Sequence, residues 1–266
     1  MKVMITGASG RMGTMLLRAV AADEVATLAA ATERADSANI GKDAAFLAGV
    51  ASNGVLLSEH MHADVDVIID FTAPAATLSH AAFAAEHGIP MVIGTTGFSA
   101  EQLSQLRTVL ADTPVVMAAN YSVGVNLALN LIQQAAQVLQ AEGYDAEIFE
   151  AHHRHKVDAP SGTALAMGHA LAAGRGVALD DVAVYSREGI TGARQEGSIG
   201  FSVVRGGNIV GEHQAMFISD EERIEIHHAA SDRIVFAKGA VRAAHWLTEQ
   251  THGWYDMQDV LGLNNK

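Results

Sequence analysis

The stretch Lys2-Val-Met-Ile-Thr-Gly-Ala-Ser-Gly-Arg-Met-Gly-Thr-Met-Leu-Leu-Arg-Ala-Val20 decides the fold. It opens as a short apolar strand, Lys2 to Thr6, passes through Gly7, Ala8, Ser9, Gly10, Arg11, Met12 and Gly13, and continues from Thr14 as a helix. A strand that runs through a glycine turn into a helix is the unit that binds a dinucleotide. The glycines let the backbone approach a pyrophosphate, and the unpaired amides of the new helix point at it. The spacing is G-x-x-G-x-x-G, not the more specific G-x-G-x-x-G. A second strand, Val25 to Thr32, ends at Glu33-Arg34, about twenty residues past Gly13, where such folds place the residue that reads the ribose. Glu33 suits free ribose hydroxyls, whereas Arg34 or Arg11 suits a 2′-phosphate, so NADH and NADPH both stay open. An ordinary polar loop is the plain alternative for the pair.

Working outward, strands at Val65–Asp70, Pro90–Gly94 and Pro114–Ala118 alternate with helices over about 75–87 and 100–110. This alternation predicts an α/β fold with a Rossmann-type, doubly wound parallel sheet. Binding sites in such sheets lie at the carboxyl ends of the strands. Three segments reach that edge: Asp70-Phe71-Thr72, Gly94-Thr95-Thr96-Gly97 and Ala118-Ala119-Asn120-Tyr121. Singly, each reads as turn chemistry. Together, Phe71, Thr72, Gly94, Thr95, Thr96, Ala118, Ala119, Asn120 and Tyr121 are expected to line the nicotinamide half of the cofactor.

After Ser122 the pattern changes to a long Ala, Leu and Gln helix reaching about 141, a strand at Glu147–Phe149, and then Glu150-Ala-His-His-Arg-His-Lys-Val-Asp-Ala-Pro-Ser-Gly-Thr163. This last segment concentrates the chemistry. His152, His153 and His155 are candidate proton carriers, and Arg154 and Lys156 are the charges expected beside them. Ser161 reads as the N-cap of a helix whose first amides, at Gly162 and Thr163, suit a small dianion. A solvated loop is the plain alternative. Metal is not expected, because Cys is absent and no His-Glu-x-x-His spacing occurs. Strands at Val182–Tyr185, Ile199–Val204, Gly211–Phe217 and Arg223–His228 follow, predicting an antiparallel or mixed sheet of the kind that serves as an oligomer interface. Ser231-Asp-Arg then opens a final helix with Ile234, Ala237, Val241 and Ala244 on one stripe. Trp246, Trp254 and Tyr255 read as packing residues.

Composition bounds the partners. The 266 residues hold 30 acids against 17 bases, a formal charge of -13, which argues against nucleic acid or an anionic membrane surface. Zero Cys excludes disulfides and thiolate catalysis. No apolar run reaches membrane-spanning length, and the first residues lack the basic and apolar regions of a signal peptide, so a cytoplasmic protein is expected.

Gly7–Gly13, Asp70-Phe-Thr72, Gly94-Thr-Thr-Gly97, Ala118-Ala-Asn-Tyr-Ser-Val-Gly-Val-Asn126, the histidine segment, Pro160-Ser-Gly-Thr163, Gly197-Ser-Ile-Gly-Phe201 and Gly211-Glu-His213 occur in one order. In this the chain resembles, essentially end to end, the 4-hydroxy-tetrahydrodipicolinate reductases, the dihydrodipicolinate reductases of lysine and diaminopimelate synthesis. It departs at Ala73, where some members carry Arg and gain a contact to the NADPH phosphate. The resemblance implies that NADPH or NADH reduces a cyclic unsaturated dicarboxylate. It assigns His152 as general acid and base, and Lys156 as a proton donor that also holds a carboxylate. His153, Ser161, Gly162 and Thr163 become substrate contacts. It further implies a dinucleotide domain of 1–122 plus 233–266 with an inserted α+β substrate-binding and oligomerisation domain, 123–232. The domains would close about hinges near Ser122 and Ser231, and a homotetramer would form through the second sheet. An amino-acid dehydrogenase of similar architecture would keep the glycine turn and Glu33 without needing the histidine and lysine cluster. A nucleotide sensor would have lost the proton donor.

Overall fold

The computed structural model describes residues 1–264 and resolves into two compact units, Met1–Val123 joined by the segment from Arg233 onward, and Gly124–Asp232. The first unit holds β1 (Lys2–Thr6), β2 (Thr27–Thr32), β3 (Leu57–Ser58), β4 (Val67–Asp70), β5 (Met91–Ile93), β6 (Val115–Met117) and a seventh strand, Trp254–Tyr255. All pair in parallel, in the order Trp254–Tyr255, β6, β5, β4, β1, β2, β3. The chain runs outward from β1 to β3 and returns beyond β1 to β4. The point where the order reverses, between β1 and β4, is where such sheets bind ligands.

The strand centres are apolar because both faces are covered. Val3 and Ile5 face one layer, packed with Leu16, Leu17 and Val20 of α1 (Arg11–Ala21) and with Ala237, Ala240, Val241 and Ala244 of the late helix Ile234–Leu247. Met4 faces the other layer, with Ile68, Met91 and Ile93, against Ala81 and Ala84 of α3 (Pro74–His87) and Leu106 of α4 (Ala100–Val109). Alternation along β1 thus places its two sets of side chains in two separate cores. A short α2 (Ala44–Leu47) follows β2.

Several elements differ from expectation. Helix α1 begins at Arg11, so Gly13 lies within its first turn. The late helix begins at Ile234 with Arg233 at its N-cap and no side-chain cap, leaving Ser231 outside. The two-residue strands β3 and Trp254–Tyr255 were missed because so short a segment carries no readable period. Trp254, Trp246 and Tyr255 pack as expected: the Trp246 and Tyr255 rings meet at 4.8 Å, and the Arg107 guanidinium lies 4.5 Å from the Trp254 ring centre.

The second unit carries α5 (Val123–Val138), β7 (Asp145–His152), α6 (Gly162–Gly174), α7 (Leu179–Val182), β8 (Ala183–Val184), β9 (Ile199–Arg205), β10 (Gly211–Ile218) and β11 (Arg223–Ala230). Its sheet runs β11-β10-β7-β9-β8, antiparallel on the β10 and β11 side and parallel on the β9 and β8 side, so it is mixed. Strand β7 is longer than the expected Glu147–Phe149, and the expected Val182–Tyr185 shrinks to β8 behind α7. Strands β9 and β10, consecutive in the chain, are not neighbours, because β7 lies between them. Among the described residues no helix is long and apolar enough to cross a membrane.

Candidate active site

In the first unit a cavity of about 570 Å³ opens at the carboxyl ends of β1, β2 and β4, lined by Gly7, Gly10, Glu33, Arg34, Phe71, Thr72, Ala73 and His80 among others. Its floor depends on glycine. A Cβ at position 13 would lie 2.2 Å from the Gly7 carbonyl oxygen and 2.6 Å from Ala8 backbone atoms, so only Gly lets α1 start against the turn. Gly7 itself has φ 60°, and Ala8 is fully buried with its amide on the Thr32 carbonyl at 3.0 Å. The Glu33 carboxylate accepts hydrogen bonds from the Ser9 hydroxyl at 2.6 Å, the Ser9 amide at 3.2 Å and the Arg34 amide at 3.0 Å. Burial works against its ionisation, but these bonds outweigh it and hold the carboxyl below its ordinary range. Arg34 is exposed and pairs loosely with Asp36 at 3.7 Å. Arg11 is exposed at the start of α1, and Met12 packs against the core.

The three edge segments serve partly as scaffold. Asp70, fully buried, accepts from the Thr72 amide and hydroxyl at 3.0 and 2.6 Å, from Thr95 at 3.1 Å and from Thr77 at 3.2 Å, and meets His80 Nδ1 at 2.6 Å. Desolvation opposes ionisation of Asp70, yet His80 and Thr72 hold its carboxyl below the usual range. The Phe71 ring lies over Gly94, where a Cβ would come within 2.1 Å of it. Thr96 is exposed, while Ala118 and Ala119 follow β6 at the edge. The side chains of Thr95 and Tyr121 are held inside the protein. Thr95 is buried in the Asp70 network, and the Tyr121 hydroxyl donates to the Ile93 and Val116 carbonyls at 2.8 and 2.9 Å. Burial pushes the Tyr121 phenol well above its ordinary range. The Asn120 side chain accepts from the Ser122 amide at 2.8 Å.

In the second unit the sheet register builds the site. Residues two apart on a strand share a face, so Ala146, Ile148, Glu150 and His152 line one side of β7. Beside them the same face carries Ile199, Phe201 and Arg205 of β9, and Phe217, Ala215 and His213 of β10. The apolar members form a core with Met167 and Leu171 of α6, and the titratable members cap its end. Glu150, 1% exposed, accepts two bonds from Arg205 at 2.7 Å each, one from the Ser161 amide at 2.9 Å, and meets His152 Nδ1 at 2.6 Å. Burial opposes its charge, but Arg205, His152 and that amide outweigh it and hold the carboxyl low. The charge that His152 Nδ1 meets is therefore the Glu150 carboxylate, which the sequence reading did not anticipate. Ser161 caps α6 by accepting from Ala164 at 3.1 Å and shares a hydrogen bond with His213 Nε2 at 2.9 Å. The Ser161 hydroxyl is thus buried and engaged within the site.

Lys156 is half-buried, with Nζ 2.9 Å from Asp158, whose carboxyl it holds below the ordinary range. His153 is half-buried with its ring 6.2 Å from that of His155, Gly162 is exposed as the first residue of α6, and Thr163 is half-buried beside it. No group of three or more His, Asp or Glu is placed to hold a metal ion among the described residues. Glu150, Arg205 and His213 had no role in the sequence reading, and a strand ended at Phe149 hid the i, i+2 pairing of Glu150 with His152.

Desolvation, aided by the neighbouring His152, lowers His213 from its ordinary 6.5 to about 3. The folded protein keeps this ring neutral where the unfolded chain takes up a proton, so below about 6.5 the unfolded state binds more protons. Its contribution is complete above that pH and is lost on acidification toward about 3, at up to about 1.4 kcal/mol per pH unit. Urea midpoints are expected to fall between pH 6.5 and 5, and less steeply in His213→Gln. Equal slopes would contradict a buried neutral His213.

The parallel sheet, its reversal point and the Glu33-backed glycine turn define a Rossmann-type oxidoreductase, a class whose fold implies a nicotinamide cofactor. The glycine packing and the cavity beside Glu33 fit such a group. Residues 1–121 match the family model described as dihydrodipicolinate reductase, N-terminus, and residues 124–261 the one described as dihydrodipicolinate reductase, C-terminus. The chain belongs to the dihydrodipicolinate reductase family. Among solved structures it is similar to a dipicolinate-bound dihydrodipicolinate reductase from Paenisporosarcina sp. TG-14, with a TM-score of 0.73 at 23% identity over 96% of this chain and 97% of that one. Its fold also resembles a myo-inositol dehydrogenase from Corynebacterium glutamicum, with a TM-score of 0.60 at 15% identity over 99% and 93%. GenD2 from gentamicin A biosynthesis, solved with NAD, gives 0.59 at 13% identity over 99% and 90%.

Proposed function

We propose that the protein catalyses NAD(P)H-dependent reduction of 4-hydroxy-tetrahydrodipicolinate, by way of dihydrodipicolinate, to tetrahydrodipicolinate in the diaminopimelate route to lysine. The observation that carries this reading is the buried Glu150–His152 pair, which lies on the strand leading into the Lys156 segment and the Ser161-capped helix. A proton carrier, a cation and a helix start in one short stretch suit a dicarboxylate that must be held and protonated.

The glycine turn holds the dinucleotide and Glu33 its ribose hydroxyls, while exposed Arg34 is available to a 2′-phosphate, so both NADH and NADPH are used. When bound, the nicotinamide supplies the hydride. Lys156 and the amides of Gly162 and Thr163 hold the carboxylates, with His153 beside them, and so orient the ring. His152 Nε2 delivers a proton to the ring carbon next to the one that is reduced. Loss of water from the 4-hydroxy ring gives the C=C bond of dihydrodipicolinate, that hydride and proton saturate it, and the neutral imidazole recovers its proton from water. Lys156, which also holds a carboxylate, is the other donor able to supply that single proton. The acidic charge and absence of Cys suit the cytoplasm. A homotetramer joined through this sheet belongs to the same reading, and Val204, exposed on the face of β9 turned away from α6, is one residue such an interface would cover.

Dipicolinate, a planar dicarboxylate bound by the Paenisporosarcina enzyme, provides a binding test. Calorimetry in the presence of reduced cofactor is expected to show one site per chain. Lys156→Ala should weaken it by about tenfold or more, the value of one hydrogen bond to a charged group. Undiminished binding in the variant would remove Lys156 from the substrate site.

A further inference from the structure

The Glu150 carboxylate is enclosed by fixed donors. Arg205 grips both of its oxygens and is itself anchored on the carbonyls of Val204 at 2.8 Å and Asp158 at 2.7 Å, and the Ser161 amide supplies a third bond. An ionised carboxylate only accepts hydrogen bonds, so the imidazole nitrogen that meets it must carry a proton whether the ring is charged or neutral. That nitrogen is Nδ1 of His152, at 2.6 Å. Nε2 is then the nitrogen whose proton comes and goes, and it has no protein partner among the described residues. Gly211 preserves room beside it, since a Cβ there would lie 3.0 Å from Nε2. His213 meets His152 edge-on, with ring centres 5.0 Å apart, and limits its swing from the β10 side.

We propose that Glu150, braced by Arg205, is the positioning residue of this site: it fixes His152 as the Nδ1–H tautomer and leaves Nε2 for proton transfer to the substrate. This rests on the reading of His152 as the proton carrier. The rival is a structural ion pair, in which Glu150 serves only to neutralise the half-buried Arg205 charge.

Two measurements separate them. In the wild-type protein, with ¹⁵N-labelled histidine and the His152 signals identified by their loss in His152→Gln, long-range ¹H–¹⁵N spectra are expected to show neutral His152 protonated at Nδ1. Protonation at Nε2 overturns the proposal, and this readout does not depend on any Glu150 variant folding. Glu150→Gln is expected to lower kcat about 10- to 100-fold, the range for losing the partner that orients a functional imidazole, with little change in substrate KM or cofactor affinity. Added to His152→Gln, it should lower kcat little further, because the two residues act as one unit. Full independent losses in the double variant would mark a structural role and overturn the proposal. Should His152→Gln itself retain full turnover, the reading of His152 fails. Loss in His152→Gln together with full kcat in Glu150→Gln defeats the positioning role alone.

Discussion

His152→Gln is expected to lower kcat by about 10²- to 10⁴-fold while leaving the dissociation constants for NADH and NADPH unchanged. Glutamine keeps much of the volume and a hydrogen-bonding end for Glu150 but cannot deliver and recover a proton. The magnitude is that of a lost general acid. The cofactor constants should hold because the glycine turn and Glu33 belong to the other compact unit. Stopped-flow turnover beside fluorescence titration of the cofactor separates the two effects. Unchanged turnover would remove the role assigned to His152.

Gly13→Ala is the second large effect, and it acts on the other ligand. A new Cβ would sit 2.2 Å from the Gly7 carbonyl oxygen and 2.6 Å from Ala8, and these are backbone atoms that no rotamer change can move aside. Either α1 withdraws from the turn or the turn opens, and overpacking of this kind destabilises by about 1–3 kcal/mol. On the proposed reading, both responses misplace the amides that would cradle a pyrophosphate. Dinucleotide affinity should therefore fall by about 100-fold or more, equivalent to about 3 kcal/mol, together with a lower Tm. Wild-type affinity in a stably folded Gly13→Ala protein would contradict the placement of the cofactor on this turn.

The first unit was legible because its signals are local. The strand, glycine turn and helix from Lys2 to Val20 and the alternation through Ala118 are apolar runs punctuated by turns, and the structure returns them with boundary shifts of a few residues. The site in the second unit was legible in part. His152 and Lys156 stand out by residue type, but Glu150, Arg205 and His213 come together only through pairing of β7 with β9 and β10. Arg205 lies 55 residues from Glu150 in the chain, and no spacing rule announces that β7 slots between two strands that follow each other in sequence. Thr95 and Tyr121 show what residue type at a sheet edge leaves open. Their positions at the sheet edge were read correctly, yet a hydroxyl at that edge serves Asp70 or a backbone carbonyl as readily as a ligand.

The central claim is tested most directly by adding purified protein to freshly formed 4-hydroxy-tetrahydrodipicolinate and following loss of reduced-nicotinamide absorbance, with NADPH and NADH in parallel. Rapid oxidation of both cofactors, dependent on substrate and nearly abolished in His152→Gln, is the predicted result. No oxidation by a protein that still binds the cofactor tightly would contradict the reductase reading.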